Sequence, residues 1–392
     1  MTAGTKLTTS DLWERADELL PMIREGAARR EAERILPHDE IRALADAGLL
    51  TWRVPLEHGG PGATVPEVVR FLLALAAVDA NIAQALRPMF GFVEGLIDGR
   101  RPDADVWFER VLDRQVFGGA FGEIGAANGV IRATLTPEGD HFRANGHKYY
   151  STGALFSDWV TVTAADEDGK AWSFTIPSDR EGLRRIDDWD GIGQRLTASG
   201  STYLEDLLVH ADELADRTPE DGSRSLVTAF QQLYLAVCEA GIARNALDDA
   251  VAYAKEKSRP IKHSSATQSV EDPYIQHAVG EIAARTYVAE AGVLRAAEAI
   301  EAAHAVDAPS DARTRAAVEV AQAQFVAVES ALKAGELLFD VGGGSTALRK
   351  HNLDRHWRNA RTVANHNPRY YKAGVVGAWL LTGAEPPTSG LF

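Results

Sequence analysis

Hydrophobic positions in the first hundred residues recur at helical spacing. Leu12, Ala16, Leu19, Leu20 and Ile23 form one apolar stripe, with Asp11 and Glu14 placed as an N-cap and its reciprocal partner. A second stripe, Val68, Val69, Phe71, Leu72 and Leu75, follows the capping pair Thr64 and Glu67, with Pro66 in the first turn. Between them, Val54-Pro55-Leu56-Glu57-His58-Gly59-Gly60-Pro61-Gly62 is too rich in turn residues for a helix. From about Gln115 to Glu213 the period drops towards two: Trp172, Phe174 and Ile176 alternate with polar neighbours, as do Val160 and Val162. This zone predicts an antiparallel β-domain. From about Ser223 to Thr382 helical spacing returns in long Ala-rich stretches, Leu233 to Lys257, Tyr274 to Ala303 and Ala312 to Phe339, which predict a bundle of long antiparallel helices. The result is an α+β fold, with an N-terminal helical domain over 1–113, a middle β-barrel or sandwich domain over 114–215 and a C-terminal helical bundle over 216–392.

Composition narrows the function. The chain has 392 residues, enough for three such units around a large core. A formal net charge of -15 repels phosphate backbones, so no nucleic-acid partner is expected. Cys238 is the only cysteine, which excludes an intramolecular disulfide and suits a reducing, cytoplasmic setting. The first twenty residues have no apolar run behind basic ones, and no segment reaches the ~18 consecutive apolar residues of a membrane span. Neither a signal peptide nor a membrane association is expected.

Several signatures are missing: G-x-S-x-G, H-E-x-x-H, the P-loop and C-x-x-C. The eleven histidines offer no pair at metal-ligand spacing on one helix face, so no metal site is expected. Gly342-Gly343-Gly344 lacks the Gly-Lys-Ser/Thr that phosphate cradling requires and reads as a turn between helices.

Four segments carry a resemblance. They are Ala47-Gly48-Leu49-Leu50 with Val54-Pro55 and His58-Gly59-Gly60; Asn145 through Gly153; Trp189 through Ser201; and Gly342-Gly343 with Asp354 through Arg361. In order and spacing the chain resembles the acyl-CoA dehydrogenase superfamily. That resemblance implies helical, β and four-helix-bundle domains in this order, with flavin between the β-domain and the bundle. It also implies that two or four subunits assemble through the helices, a homotetramer being expected.

Dehydrogenases of this superfamily use a carboxylate to remove a proton beside an acyl thioester. The matching stretch here, Val363-Ala364-Asn365-His366-Asn367-Pro368, has none, and at an alternative place on an earlier helix stands Gln231. Instead Asp354 through Thr362, then His366-Asn367-Pro368 and Tyr371-Lys372, resembles the flavin-monooxygenase branch that includes dibenzothiophene monooxygenase. Glu271-Asp272-Pro273-Tyr274 with Gly280-Glu281 recurs there too. The stretch Leu86 through Val93 lacks the histidine which that branch often carries.

The resemblance therefore implies a two-component monooxygenase. A separate NAD(P)H-flavin reductase would supply reduced flavin, and O2 would oxygenate a small or aromatic heteroatom compound through a C4a-(hydro)peroxyflavin. The alternative is an acyl-CoA dehydrogenase or oxidase with an unrecognised base. No G-x-G-x-x-G follows a strand, so the chain has no nicotinamide site with which to reduce its own flavin. FMN is favoured over FAD, because Phe339-Asp340-Val341 stands before Gly342 where FAD-binding dehydrogenases carry a glutamine, and Asp340 would repel a pyrophosphate.

His366 is the first catalytic candidate, as an imidazole titrating near 6.5 that holds and shuttles a proton; its plainer reading is a packing histidine before Pro368. Thr152 and Ser157 are candidate hydrogen-bond donors to flavin or the oxygen adduct, against simple turn chemistry. Cofactor-binding candidates are Phe121, Gly122 and Glu123 in the flavin loop, Ser199 in its own turn, Trp159 as a stacking ring, and Lys257, Arg355, Trp357 and Arg361 as phosphate or interface groups. A core tryptophan and solvated helix-end cations are the plainer readings.

Overall fold

The computed structural model describes residues 6–99, 101, 103–125, 130–216, 224–388 and 392. Ser223, where the sequence begins its second helical zone, lies outside them. Six helices come first: α1 (Thr9–Glu33), α2 (His38–Asp46), α3 (Val65–Val78), α4 (Ala80–Ala85), α5 (Arg87–Ile97) and α6 (Ala104–Leu112). The α1 cap is three residues earlier than the sequence suggests: Thr8 accepts from Asp11 N, and the Asp11 carboxylate accepts from Thr8 N in return. Asp11 is thus the reciprocal partner and not the cap. At α3 the expected Thr64–Glu67 box is present.

The strands are β1 (Phe117–Ala120), β2 (Thr134–Glu138), β3 (His141–Lys148), β4 (Trp159–Ala165), β5 (Ala171–Pro177), β6 (Leu183–Arg185), β7 (Thr202–His210) and β8 (Leu214–Asp216). They form one sheet in the order β6-β7-β3-β2-β4-β5-β8, with β1 beside β4. The sheet is mixed, not purely antiparallel, because β1 pairs with β4 in parallel over four residues and β2 touches β4 in parallel at Thr134 and Ala165. The short Phe117-Gly118-Gly119-Ala120 strand is buried throughout and has no polar alternation from which its direction could be read.

The second helical zone holds α7 (Leu226–Glu256), α8 (Pro273–Ala303), α9 (Ala312–Leu337), α10 (Arg355–Ala364) and α11 (Arg369–Thr382). Among the described residues α7 alone is long and apolar enough to cross a membrane, but 83% of its most apolar window is buried inside the fold, as the central helix of the bundle. Close approach relies on small residues: a Cβ on Gly241 of α7 would lie 2.3 Å from the Ala76 side chain of α3.

A histidine–carboxylate hydrogen bond and two arginine–carboxylate ion pairs fix the short α10. His356 Nε2 donates to Asp249 of α7 at 2.8 Å, Arg355 reaches the same carboxylate at 2.6 Å, and Arg358 reaches Glu31 of α1 at 2.6 Å. The chain leaving α10 carries His366 back beneath α4 and α5. Tyr234 of α7 donates to the Ala83 carbonyl at 2.7 Å and pins the turn from which α5 starts.

Candidate active site

Between the sheet and helices α5 and α7 lies a cavity of about 440 Å³, within the range of small-molecule sites. Gly118, Gly119 and Phe121 beside β1 and Tyr150 and Thr152 after β3 line its sheet wall; Arg87, Phe92 and Gly95 of α5 and Gln231 and Gln232 of α7 line its helical wall. Phe121 and Tyr150 keep 47% and 56% of their surface, large values for rings in a concave site. They give the cavity an aromatic wall.

The sheet wall is preorganised by two zipped loops. Ser151 N donates to Gly200 O at 3.2 Å and Gly153 N to Thr197 O at 3.0 Å. Gly153 is required there: its φ is +75° and a Cβ would lie 2.2 Å from the Ala85 carbonyl. Tyr150, Gln194 and Ala198 hold φ of 62°, 52° and 50°, a strained region for side-chain-bearing residues that clusters at this wall.

The zipping sets Thr152 Oγ 2.8 Å from Ser199 Oγ, which lies 2.7 Å from Thr197 Oγ, whose hydroxyl in turn donates to the Gln194 carbonyl at 2.9 Å. A carbonyl only accepts. Thr197 therefore donates outward, Ser199 donates to Thr197, and Thr152 donates to Ser199. The Thr152 lone pairs are left for the cavity.

On the helical wall, Arg87 donates to Gln231 Oε1 at 3.1 Å, and its Nε is buried with no hydrogen-bond partner. Gly91 makes room for this arrangement, since a Cβ there would lie 1.4 Å from Gln231 Nε2.

His366 is not among the lining residues. Its Nε2 lies 3.2 Å from Gln84 Nε2 and its Nδ1 lies 3.1 Å from the Val363 carbonyl. Cys238 Sγ donates to Gln84 Oε1 at 3.8 Å, which turns the Gln84 amide nitrogen towards the ring. These contacts assign the proton to Nδ1 and leave Nε2 accepting. The residue is exposed on one side, and the protein packed against its other side, reinforced by the nearby Arg87 charge, lowers the imidazole to about 4. With its proton affinity lowered from the free imidazole's, His366 is neutral at pH 7.

The other predicted residues divide. Phe121, Thr152 and, through Thr152, Ser199 belong to the cavity. Ser157 lies under β1, donating to the Ala154 carbonyl at 2.9 Å. Gly122 packs closely on the Tyr149 carbonyl. The Glu123 carboxylate is committed to Lys148 Nζ at 2.5 Å and to Arg132 N and Ala133 N. Trp159 donates to Gln115 at 2.7 Å, packs on Trp107 and lies under the Arg110 guanidinium, so its ring is not part of the cavity lining. Arg355 is held by Asp249, and Arg361 donates to Asn365. Lys257 and Trp357 are exposed away from the cavity. Sequence reasoning missed Arg87 and Gln84. Only the helical register, which turns both inwards, distinguishes them from ordinary polar helix residues.

Among the described residues no catalytic carboxylate faces the cavity. Among the described lining residues Asp216 is the sole acid; it is exposed at the β8 edge and pairs with Lys170 at 2.7 Å. Glu94 is spent on Arg53 at 2.6 Å.

This combination, a mixed sheet and a long helical bundle enclosing an aromatic-lined cavity, marks a flavoenzyme-type scaffold. Residues 16–97 match the acyl-CoA dehydrogenase N-terminal domain and residues 233–368 an acyl-CoA dehydrogenase C-terminal domain. The chain belongs to the acyl-CoA dehydrogenase family. It is 33% identical over 389 residues to a probable FMNH2-dependent monooxygenase, SfnC, of Pseudomonas putida, covering 95% of each chain. It is 30% identical over 370 residues to dibenzothiophene monooxygenase of Mycolicibacterium goodii, covering 89% of this chain and 88% of the other. Among solved structures, FMN-bound TdsC of Paenibacillus sp. A11-2 superposes with a TM-score of 0.91 at 31% identity, over 98% of this chain and 100% of that one. Methanesulfinate monooxygenase MsuC of Pseudomonas fluorescens gives 0.87 at 29% identity, over 97% and 99%.

Proposed function

We propose that this chain is the oxygenase of a two-component flavin monooxygenase, taking reduced FMN from a separate flavin reductase and oxygenating a small molecule. The observation that carries the reading is an aromatic-lined cavity with no carboxylate, among the described residues, placed to act as a thioester base. FMNH2-dependent and dibenzothiophene monooxygenases as relatives, and FMN-bound TdsC as a structural neighbour, support it.

The residues fit the cofactor. Phe121 and Tyr150 would flank the flavin ring, and Thr152, braced by Ser199, would accept a hydrogen bond from a ring N–H. Reduced flavin, when bound, supplies the electrons that activate O2 for transfer of one oxygen atom. The chain's own residues hold the ring, exclude water and manage the proton. The proton is assigned in this reading to His366, which lies outside the cavity lining and neighbours the lining residue Arg87. Neutral, and with Nδ1 satisfied by Val363, the ring presents Nε2 as an acceptor where the Gln84 amide now donates. Lys257, Trp357 and Arg361 would serve a subunit interface. A homotetramer is supported by the exposed Tyr274, Tyr287 and Val288 on α8 and Leu380 and Leu381 on α11. The proposed domain limits remain 1–113, 114–215 and 216–392.

Anaerobic titration tests the reading. Reduced FMN should quench protein fluorescence saturably at one per chain, and butyryl-CoA should leave protein-bound oxidised FMN unbleached. Bleaching by the thioester would establish a dehydrogenase instead.

A further inference from the structure

Among the described residues three ionisable groups other than tyrosine line the cavity: Arg87, Arg101 and Asp216. Two are neutralised locally, Arg101 by both oxygens of Asp103 at 2.9 and 2.8 Å and Asp216 by Lys170 at 2.7 Å. Arg87 is not. Its side chain donates to the neutral Gln231 amide, its Nε is buried without a hydrogen bond, and no carboxylate pairs with it among the described residues. The acidic groups acting on it, Tyr234 and Cys238, are themselves held uncharged by burial.

A guanidinium kept charged in such a place carries a large desolvation cost unless an anion arrives to share it. Its planar fork matches the paired oxygens of an oxyacid. The position matters too. Arg87 opens α5 on the helical wall beside Gln231, whereas the exposed rings of Phe121 and Tyr150 belong to the sheet wall. The wall that suits a flavin ring and the wall that carries the free charge are different.

We propose that Arg87 is the specificity-determining residue of this cavity, binding the single-anion oxyacid head group of the substrate, a carboxylate or sulfinate, with Gln231 holding the guanidinium in place. The inference rests on the monooxygenase reading of the same cavity and names the substrate class for it.

Isosteric probes test it directly. Benzoate and benzenesulfinate are titrated calorimetrically into the purified full chain against benzamide, which has benzoate's shape without its charge. The wild-type protein should bind both anions about tenfold or more tighter than benzamide. Arg87→Gln should abolish that preference, and Arg87→Lys, which keeps the charge and loses the fork, should retain part of it. Reduced-FMN affinity, measured anaerobically, should change less than about threefold in both variants. Equal binding of anion and amide by the wild-type protein, no binding of either anion, or an unchanged preference in Arg87→Gln would overturn the proposal. A large loss of reduced-FMN affinity in Arg87→Gln would also overturn it, by assigning the charge to the flavin phosphate. Failure of the wild-type chain to bind reduced FMN while the anion preference persists would sink the monooxygenase reading and leave the anion site standing.

Discussion

His366 shows how burial redirects a side chain's chemistry. An imidazole in water titrates in mid-range; here burial and the Arg87 charge lower it to about 4, and its two nitrogens are assigned by Val363 and Gln84. Replacing His366 with Gln should lower product formation by roughly a hundredfold and raise hydrogen peroxide release, measured as the ratio of product to NADH consumed. Unchanged coupling would remove His366 from the mechanism. His356, buried beside Asp249, is also lowered to about 4. His356, fully enclosed, stays neutral in the fold while the unfolded chain takes up a proton below about 6.5. Stability should therefore fall as pH drops from about 6.5 to about 4 and lose this dependence below it. Urea midpoints across that range should show the slope, flattened in His356→Gln. Thr152 is legible from its motif; its partner Ser199 lies 47 residues away, and their contact exists only once the two loops zip.

At the scale of elements, glycines decide how closely the walls approach. Gly91→Ala places a methyl where Gln231 Nε2 now sits, 1.4 Å away, so Gln231 must leave Arg87. Because the displaced atoms are the end of a flexible side chain, the stability should change by less than about 1 kcal/mol while the anion preference weakens; an unchanged preference in Gly91→Ala would contradict this packing. Arg53→Met should cost roughly 3–5 kcal/mol, because Glu94, buried on α5, loses its partner. Periodicity reveals the long helices well: it predicts Tyr274–Ala303 where α8 spans Pro273–Ala303. It places the start of α1 wrongly because Thr8-x-x-Asp11 and Asp11-x-x-Glu14 both satisfy a capping pattern, and only the actual hydrogen bonds choose. The parallel direction of β1 is illegible for a different reason, since two glycines in a fully buried strand carry no facial alternation.

For the whole molecule, the helix–strand–helix order can be read from the chain because each zone keeps its own period over many residues. The cavity cannot, since its walls come from segments more than a hundred residues apart that meet only through the sheet and α7. Arg87 is the clearest instance: nothing in Leu86-Arg87-Pro88 distinguishes a cation lining a cavity from a surface one. The exposed α8 face should form a subunit interface in the proposed tetramer. Val288→Glu should therefore shift the assembly to smaller species by light scattering, and an unchanged mass would exclude that face. The most direct test of the oxygenase assignment is turnover under oxygen-18 gas, with reduced FMN regenerated by a flavin reductase and NADH and a panel of sulfides, sulfinates, amines and phenols supplied as substrates. An oxygenase yields product carrying one labelled oxygen atom from O2, dependent on this chain. Product whose new oxygen comes only from water, or flavin oxidation yielding hydrogen peroxide alone with every substrate, would contradict it.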